Sequence, residues 1–92
     1  MIIKLGNNWA RSENYEIKGK NKDTFTYLSN DKVITIDWEA GYEPYNRMIY
    51  SSLIKKWDSP EGLTHTPQEK AEIKNNCKEG WTFLGVPVVF DD

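Results

Sequence analysis

Few residues in this chain have the chemistry for catalysis. His65 is the only histidine and Cys77 the only cysteine among 92 residues. An imidazole can serve as acid or base near neutral pH. A Cys–His nucleophile would further need the fold to bring the two side chains together with an orienting third group. They stand twelve positions apart, with Cys77 on the expected buried side of a helix, so His65 reads better as a loop or helix-capping residue. One cysteine and one histidine cannot build a zinc site, and neither acidic calcium-loop spacing nor a phosphate-cradling glycine loop is present. Fourteen acids in a chain this short make a chance carboxylate pair common, and no spacing singles one out as a glycosidase pair. The sequence therefore implies no catalytic residue, metal or cofactor.

The segment Asp37-Trp38-Glu39-Ala40-Gly41-Tyr42-Glu43-Pro44-Tyr45 is the most unusual stretch. It packs three acids and three tyrosine or tryptophan residues into nine positions. Tyr and Trp act as anchors at protein interfaces, and carboxylates suit a basic partner. Asp37, Glu39, Tyr42, Glu43 and Tyr45 are accordingly the candidate partner-binding residues. A purely structural reading weighs equally: Trp38 in the core, Asp37 and Glu39 on the wet side of a strand, the rest loop.

The elements that must position these residues follow from periodicity. Val33-Ile34-Thr35-Ile36-Asp37-Trp38-Glu39 alternates so that Ile34, Ile36 and Trp38 share one strand face and Asp37 and Glu39 the other. Shorter strands are predicted at Met1–Leu5, Tyr15–Lys18, Thr24–Leu28 and Asn46–Tyr50. Gly6-Asn7-Asn8, residues 19–23 and Ser29-Asn30-Asp31 supply the turns. Leu53 and Trp57, spaced i, i+4, predict one helical turn. Thr66-Pro67-Gln68-Glu69 carries a capping box with proline at the first helical position, and Gly80 reads as the stop. Ala71, Ile73, Cys77 and Trp81 form the expected apolar side. Val86–Phe90 closes the chain as a strand whose Pro87 places it at a sheet edge or makes its start irregular. The expected fold is one α+β domain over residues 1–92, a mostly antiparallel sheet with one main C-terminal helix packed on one face.

Bulk properties narrow the classes further. A hydrophobic fraction of 38% with 13% aromatic residues is that of a globular chain. The opening Met1–Gly6 has neither the length of a membrane span nor a cleavage pattern, and the single cysteine suits a reducing compartment. A cytoplasmic protein is the expectation. The net charge of −2 is uneven: +2 over residues 1–36, zero over 37–57 and −4 over 58–92. An acidic C-terminal part argues against general nucleic-acid binding. Phe25 and Tyr27 on one strand raise base stacking, with Lys18, Lys20 and Lys22 nearby, but core packing accounts for the rings better.

Ser51-Ser52-Leu53-Ile54-Lys55-Lys56-Trp57-Asp58-Ser59-Pro60, followed by the capped helix at Thr66-Pro67-Gln68-Glu69-Lys70 and by Ile73-Lys74-Asn75-Asn76, resembles a family of small immunity proteins. These belong to bacterial polymorphic-toxin systems, contact-dependent growth inhibition among them. The resemblance loosely covers Tyr15 to Phe90, and its specific part is the Trp57/Pro60 motif ahead of the helix. It implies a protein that neutralises a cognate toxin domain by covering its active site, the toxin being a nuclease with a basic cleft. Trp57 and Pro60 are expected to fix the crossing from sheet to helix, not to bind. Two other readings stand beside it: a nucleic-acid adaptor using the aromatic sheet face, and a small hydrolase centred on His65.

Overall fold

The computed structural model describes all residues but 30, 42, 55, 60 and 92, and at Leu53 the backbone alone. Among the described residues seven strands run in chain order across one sheet: β1 (Ile3–Gly6), β2 (Trp9–Arg11), β3 (Glu16–Gly19), β4 (Thr24–Ser29), β5 (Lys32–Ala40), β6 (Arg47–Ile49) and β7 (Val88–Phe90). Every neighbouring pair is antiparallel except β6 and β7, which are parallel. Parallel neighbours need a crossover, and here it contains a 3-10 turn at Ser51–Leu53 and α1 (Pro67–Phe83), the single α-helix among the described residues. This is the expected α+β class. β7 lies at the edge and begins only after Pro87, which has no N–H to give a ladder.

Alternation decides which sheet face is covered. Ile17, Phe25, Tyr27, Ile34, Ile36, Trp38, Ile49, Val88 and Phe90 are buried, and Ile73, Cys77 and Trp81 of α1 are buried with them. Trp81 forms the aromatic centre, its ring 5.3 Å from Phe25 edge-on and 4.7 Å from Trp38. Such tilted contacts suit the ring quadrupoles better than flat sandwiches. Polar ties hold the helix down at the same interface. Tyr15 Oη donates to Glu79 Oε1 at 2.8 Å, and Asn76 Nδ2 donates to Tyr27 Oη at 2.9 Å.

The start of α1 follows the sequence reading. Thr66 Oγ1 accepts from the Glu69 N–H, and Glu69 Oε1 accepts from the Thr66 N–H. Its end does not. Gly80 sits inside the helix, fully packed, where an added Cβ would lie 2.6 Å from Ile17 Cδ1. The absent side chain lets helix and sheet approach at this point. The stop is Gly85, at φ +80°, where Gly85 N–H donates to Thr82 O and Val86 N–H to Trp81 O. That pair of bonds is a Schellman ending, which favours glycine because its left-handed backbone disfavours a Cβ. Ala71 is also exposed, contrary to its predicted place on the apolar side.

Three further differences are local. Trp9–Arg11 forms a strand not expected from so short a segment. The predicted helical turn from Leu53 to Trp57 does not form: a 3-10 turn ends at Leu53, Lys56 forms a bridge with Thr64, and the Leu53 side chain lies outside the described residues. Trp57 is nonetheless buried, and the residues after it hold the sheet. Val33 exchanges backbone hydrogen bonds with Ser59, and Asp58 Oδ2 accepts from the Thr35 N–H at 2.7 Å. The Asp58–Ser59 segment thereby occupies the β5 edge that β6, paired only from Trp38 onward, leaves open. Pro60 lies outside the described residues. Among the described residues no helix is long and apolar enough to cross a membrane.

Candidate partner-binding surface

β5 is the longest strand, and its two faces differ completely. Ile34, Ile36 and Trp38 point into the core, while Asp37 and Glu39 are exposed on the face that α1 leaves bare. Asp37 stands opposite Thr24 of β4, and Glu39 opposite Met48 of β6. The hydroxyl of Tyr50 donates to Glu39 Oε1. That hydrogen bond to a carboxylate, reinforced by the nearby charges of Glu39 and Asp91, holds the Tyr50 phenol above its ordinary pKa. Tyr50 therefore stays a neutral donor. Asp91, just past β7, is fixed by its N–H to Ile49 O and by accepting from the N–H and Oγ of Ser51.

Beyond Ala40 the chain turns through a loop that carries Glu43 and Tyr45, both exposed, and the Glu43–Pro44 bond is cis. Gly41 N–H donates to Asn46 O and closes the loop base. Tyr42 lies outside the described residues. The structure thus places Asp37 and Glu39 together on one face, with Glu43 and Tyr45 in the loop that follows. It adds Tyr50, which the sequence reading missed. The signal for Tyr50 is the β5–β6 register, which no local pattern reveals.

The other half of the bare face carries charges of both signs. Arg11 pairs with Glu16 at 2.9 Å, Trp9 Nε1 donates to the same carboxylate at 2.8 Å, and Lys18 sits 4.4 Å over the Trp9 ring. Burial pushes the Glu16 carboxyl up, but the hydrogen bonds from Trp9 and Arg11 outweigh it and leave it below the usual range. At the β5 end the Asp37 carboxylate has no hydrogen-bond or ion-pair partner among the described residues. The net field of this face is therefore negative at the β5–β6 end.

The catalytic candidates stand elsewhere. His65 packs against Trp57 with ring centroids 4.6 Å apart. Desolvation lowers its pKa; the Lys56 carbonyl and Glu69 oppose this, the carbonyl lying outside hydrogen-bond geometry. Cys77 is fully buried, and burial pushes its thiol well up, so it remains a protonated packing group. Phe25 and Tyr27 are buried beneath α1 and offer no stacking surface. Among the described residues no three metal-ligating side chains gather.

No family model matches the chain, and neither the curated proteins nor the solved structures contain a match.

Proposed function

We propose that this chain is an immunity protein that binds a cognate toxin domain, a nuclease with a basic cleft, and neutralises it by covering the active site. The observation that carries the reading is the unpaired carboxylate of Asp37 beside Glu39 on the bare face of β5, with Glu43 and Tyr45 exposed in the next loop. Carboxylates displayed this way speed association with a cationic cleft and stand where phosphates would. The accessible surface of 5728 Å² leaves room for the contact. A standard interface takes about 800 Å² from each partner, roughly a seventh of this surface. The resemblance of the Trp57–Asp58–Ser59 segment and its capped helix to small immunity proteins points the same way.

Co-expression with the toxin domain encoded by the adjacent gene tests this. Cells making the toxin should survive only when this chain is also made, and the two proteins should co-purify at equal stoichiometry. Death of the co-expressing cells, with this chain present and folded, would overturn the proposal.

A further inference from the structure

A second concave site lies at the end of the sheet where three turns converge. The cleft has a volume of about 360 Å³, and Asn8, Asn21, Lys22, Trp38, Asn46 and Arg47 line it, with Val86 at its side. That volume falls in the range of small-molecule sites. The larger trough between Arg11 and Asp31 holds 410 Å³, but its lining sets one cation, Arg11, against three acids, Glu13, Glu16 and Asp31. The smaller cleft has two cations in its lining and no acid. In a chain of net charge −2 this is a local reversal of sign.

Its walls are fixed by backbone hydrogen bonds from every contributing turn. Gly19 N–H donates to Asn8 O at 2.7 Å, Trp38 N–H to Asp23 O at 2.9 Å and Asn46 N–H to Pro87 O at 2.8 Å. The donors outnumber what the protein uses. Asn21 Oδ1 already accepts from Asp23 N–H, Thr24 N–H and Thr24 Oγ1, which leaves its NH₂ group as the free end. Arg47 is held 5.5 Å over the Trp38 ring, with one terminal nitrogen donating to Asn46 O. Its Nε is buried and has no partner, and the indole N–H of Trp38, a residue only 7% exposed, has none either. Lys22 makes no hydrogen bond or ion pair among the described residues.

We propose that this cleft binds a phosphate dianion, as free phosphate or as a small phosphomonoester. Two positive charges, Arg47 held against Trp38 and Lys22 on the exposed turn, match the two negative charges of the ligand. The terminal nitrogens of a planar guanidinium suit tetrahedral oxyanions, and the Asn21 NH₂ group supplies a further donor. The site is separate from the acidic strand face, so it neither requires the toxin-binding reading nor stands in for it.

The test is a titration of ¹⁵N-labelled protein at constant ionic strength, with inorganic phosphate in one arm and glycerol phosphate in the other. Saturable shifts of the Trp38 indole and Arg47 Nε–H resonances are expected, with dissociation constants of about 1 mM or tighter. Tighter binding of glycerol phosphate assigns the monoester, and equal or weaker binding assigns free phosphate. Lys22→Ala, at an exposed turn, should keep the native spectrum and weaken binding at least about tenfold, the loss of one charge-assisted contact. Absence of saturable shifts in both arms overturns the proposal. So do shifts matched by acetate, or affinity unchanged in Lys22→Ala.

Discussion

The carboxylate of Glu69 divides its oxygens between two elements: Oε1 accepts from the Thr66 N–H of its own helix cap, and Oε2 meets Lys32 Nζ of β5 at 2.8 Å. Lys32 in turn lies 5.6 Å from the Trp57 ring centroid. One side chain thus ties the first turn of α1 to the start of the strand that carries Asp37 and Glu39. The Lys32 ammonium, followed by the Thr66 hydrogen bonds, holds the Glu69 carboxyl down at about 2.

That depression gives stability a sign with pH. An unfolded glutamate titrates near 4.5, so the contribution of Glu69 is complete above that value. It is lost as pH falls from there through about 2, because the folded state then gives up an ionised carboxylate. Solvent screening keeps the contribution well below what the shift alone suggests. Urea midpoints measured across this window should fall more steeply for wild type than for Glu69→Gln, which keeps a capping side chain but cannot titrate. Parallel curves would mean that Glu69 is not the group responsible.

Gly80 and Ile17 should be coupled. A Cβ on Gly80 would meet Ile17 Cδ1 at 2.6 Å and Tyr15 Cε2 at 3.2 Å. Overpacking of this kind costs about 1–3 kcal/mol, against a helix-propensity gain of about 1 kcal/mol for replacing glycine by alanine. Gly80→Ala should therefore be destabilising on balance. Ile17→Val removes the Cδ1 atom itself and alone costs about 0.5–1.5 kcal/mol. In the Gly80→Ala background that cost should shrink or reverse. A double-mutant cycle by chemical denaturation reads the coupling directly, and strict additivity would mean that the helix simply shifts away.

Trp57 should behave as a core residue. It is 4% exposed and packs between the rings of Tyr27, at 6.4 Å, and His65, at 4.6 Å. Trp57→Ala should cost about 3–5 kcal/mol, a large part of the stability of a domain this size. Differential scanning calorimetry would show the loss, and an unmoved melting temperature would mean that Trp57 is not a core residue.

What the sequence disclosed divides along the line between local and long-range causes. The faces of β5 and the Thr66–Glu69 box were legible because alternation and capping depend on residues within a few positions. The helix end was not. Gly80 and Gly85 look alike in the chain, yet one is a close-packing contact with Ile17 and the other a left-handed stop, and only the sheet decides which. β2 escaped notice because Trp9–Arg11 is too short for its alternation to register, and its strand identity comes from pairing with β1 and β3. Of the candidate surface, Asp37 and Glu39 followed from β5 alone. Tyr50 depended on the register across the intervening loop.

The acidic face itself gives the last prediction. Asp37 and Glu39 are exposed, and among the described residues the only side-chain hydrogen bond of either is the one Glu39 accepts from the Tyr50 hydroxyl. Exposed charges of this kind usually change stability by about 0.5 kcal/mol or less when replaced. The double change Asp37→Lys plus Glu39→Lys should therefore leave the melting curve nearly where it is, apart from the small loss of the Tyr50 contact. At a desolvated contact with a basic cleft, by contrast, removing one partner of a charge pair costs about 2–5 kcal/mol. Two reversed charges there should weaken toxin binding by orders of magnitude. Calorimetric titration at low and moderate salt separates the outcomes. A contact steered by these carboxylates loses affinity in the variant and, in wild type, weakens as salt rises. If the variant binds as wild type does at both salts, the partner lands elsewhere. The next surface to test is then the helix and C-terminal segment with Glu69, Glu72 and Asp91.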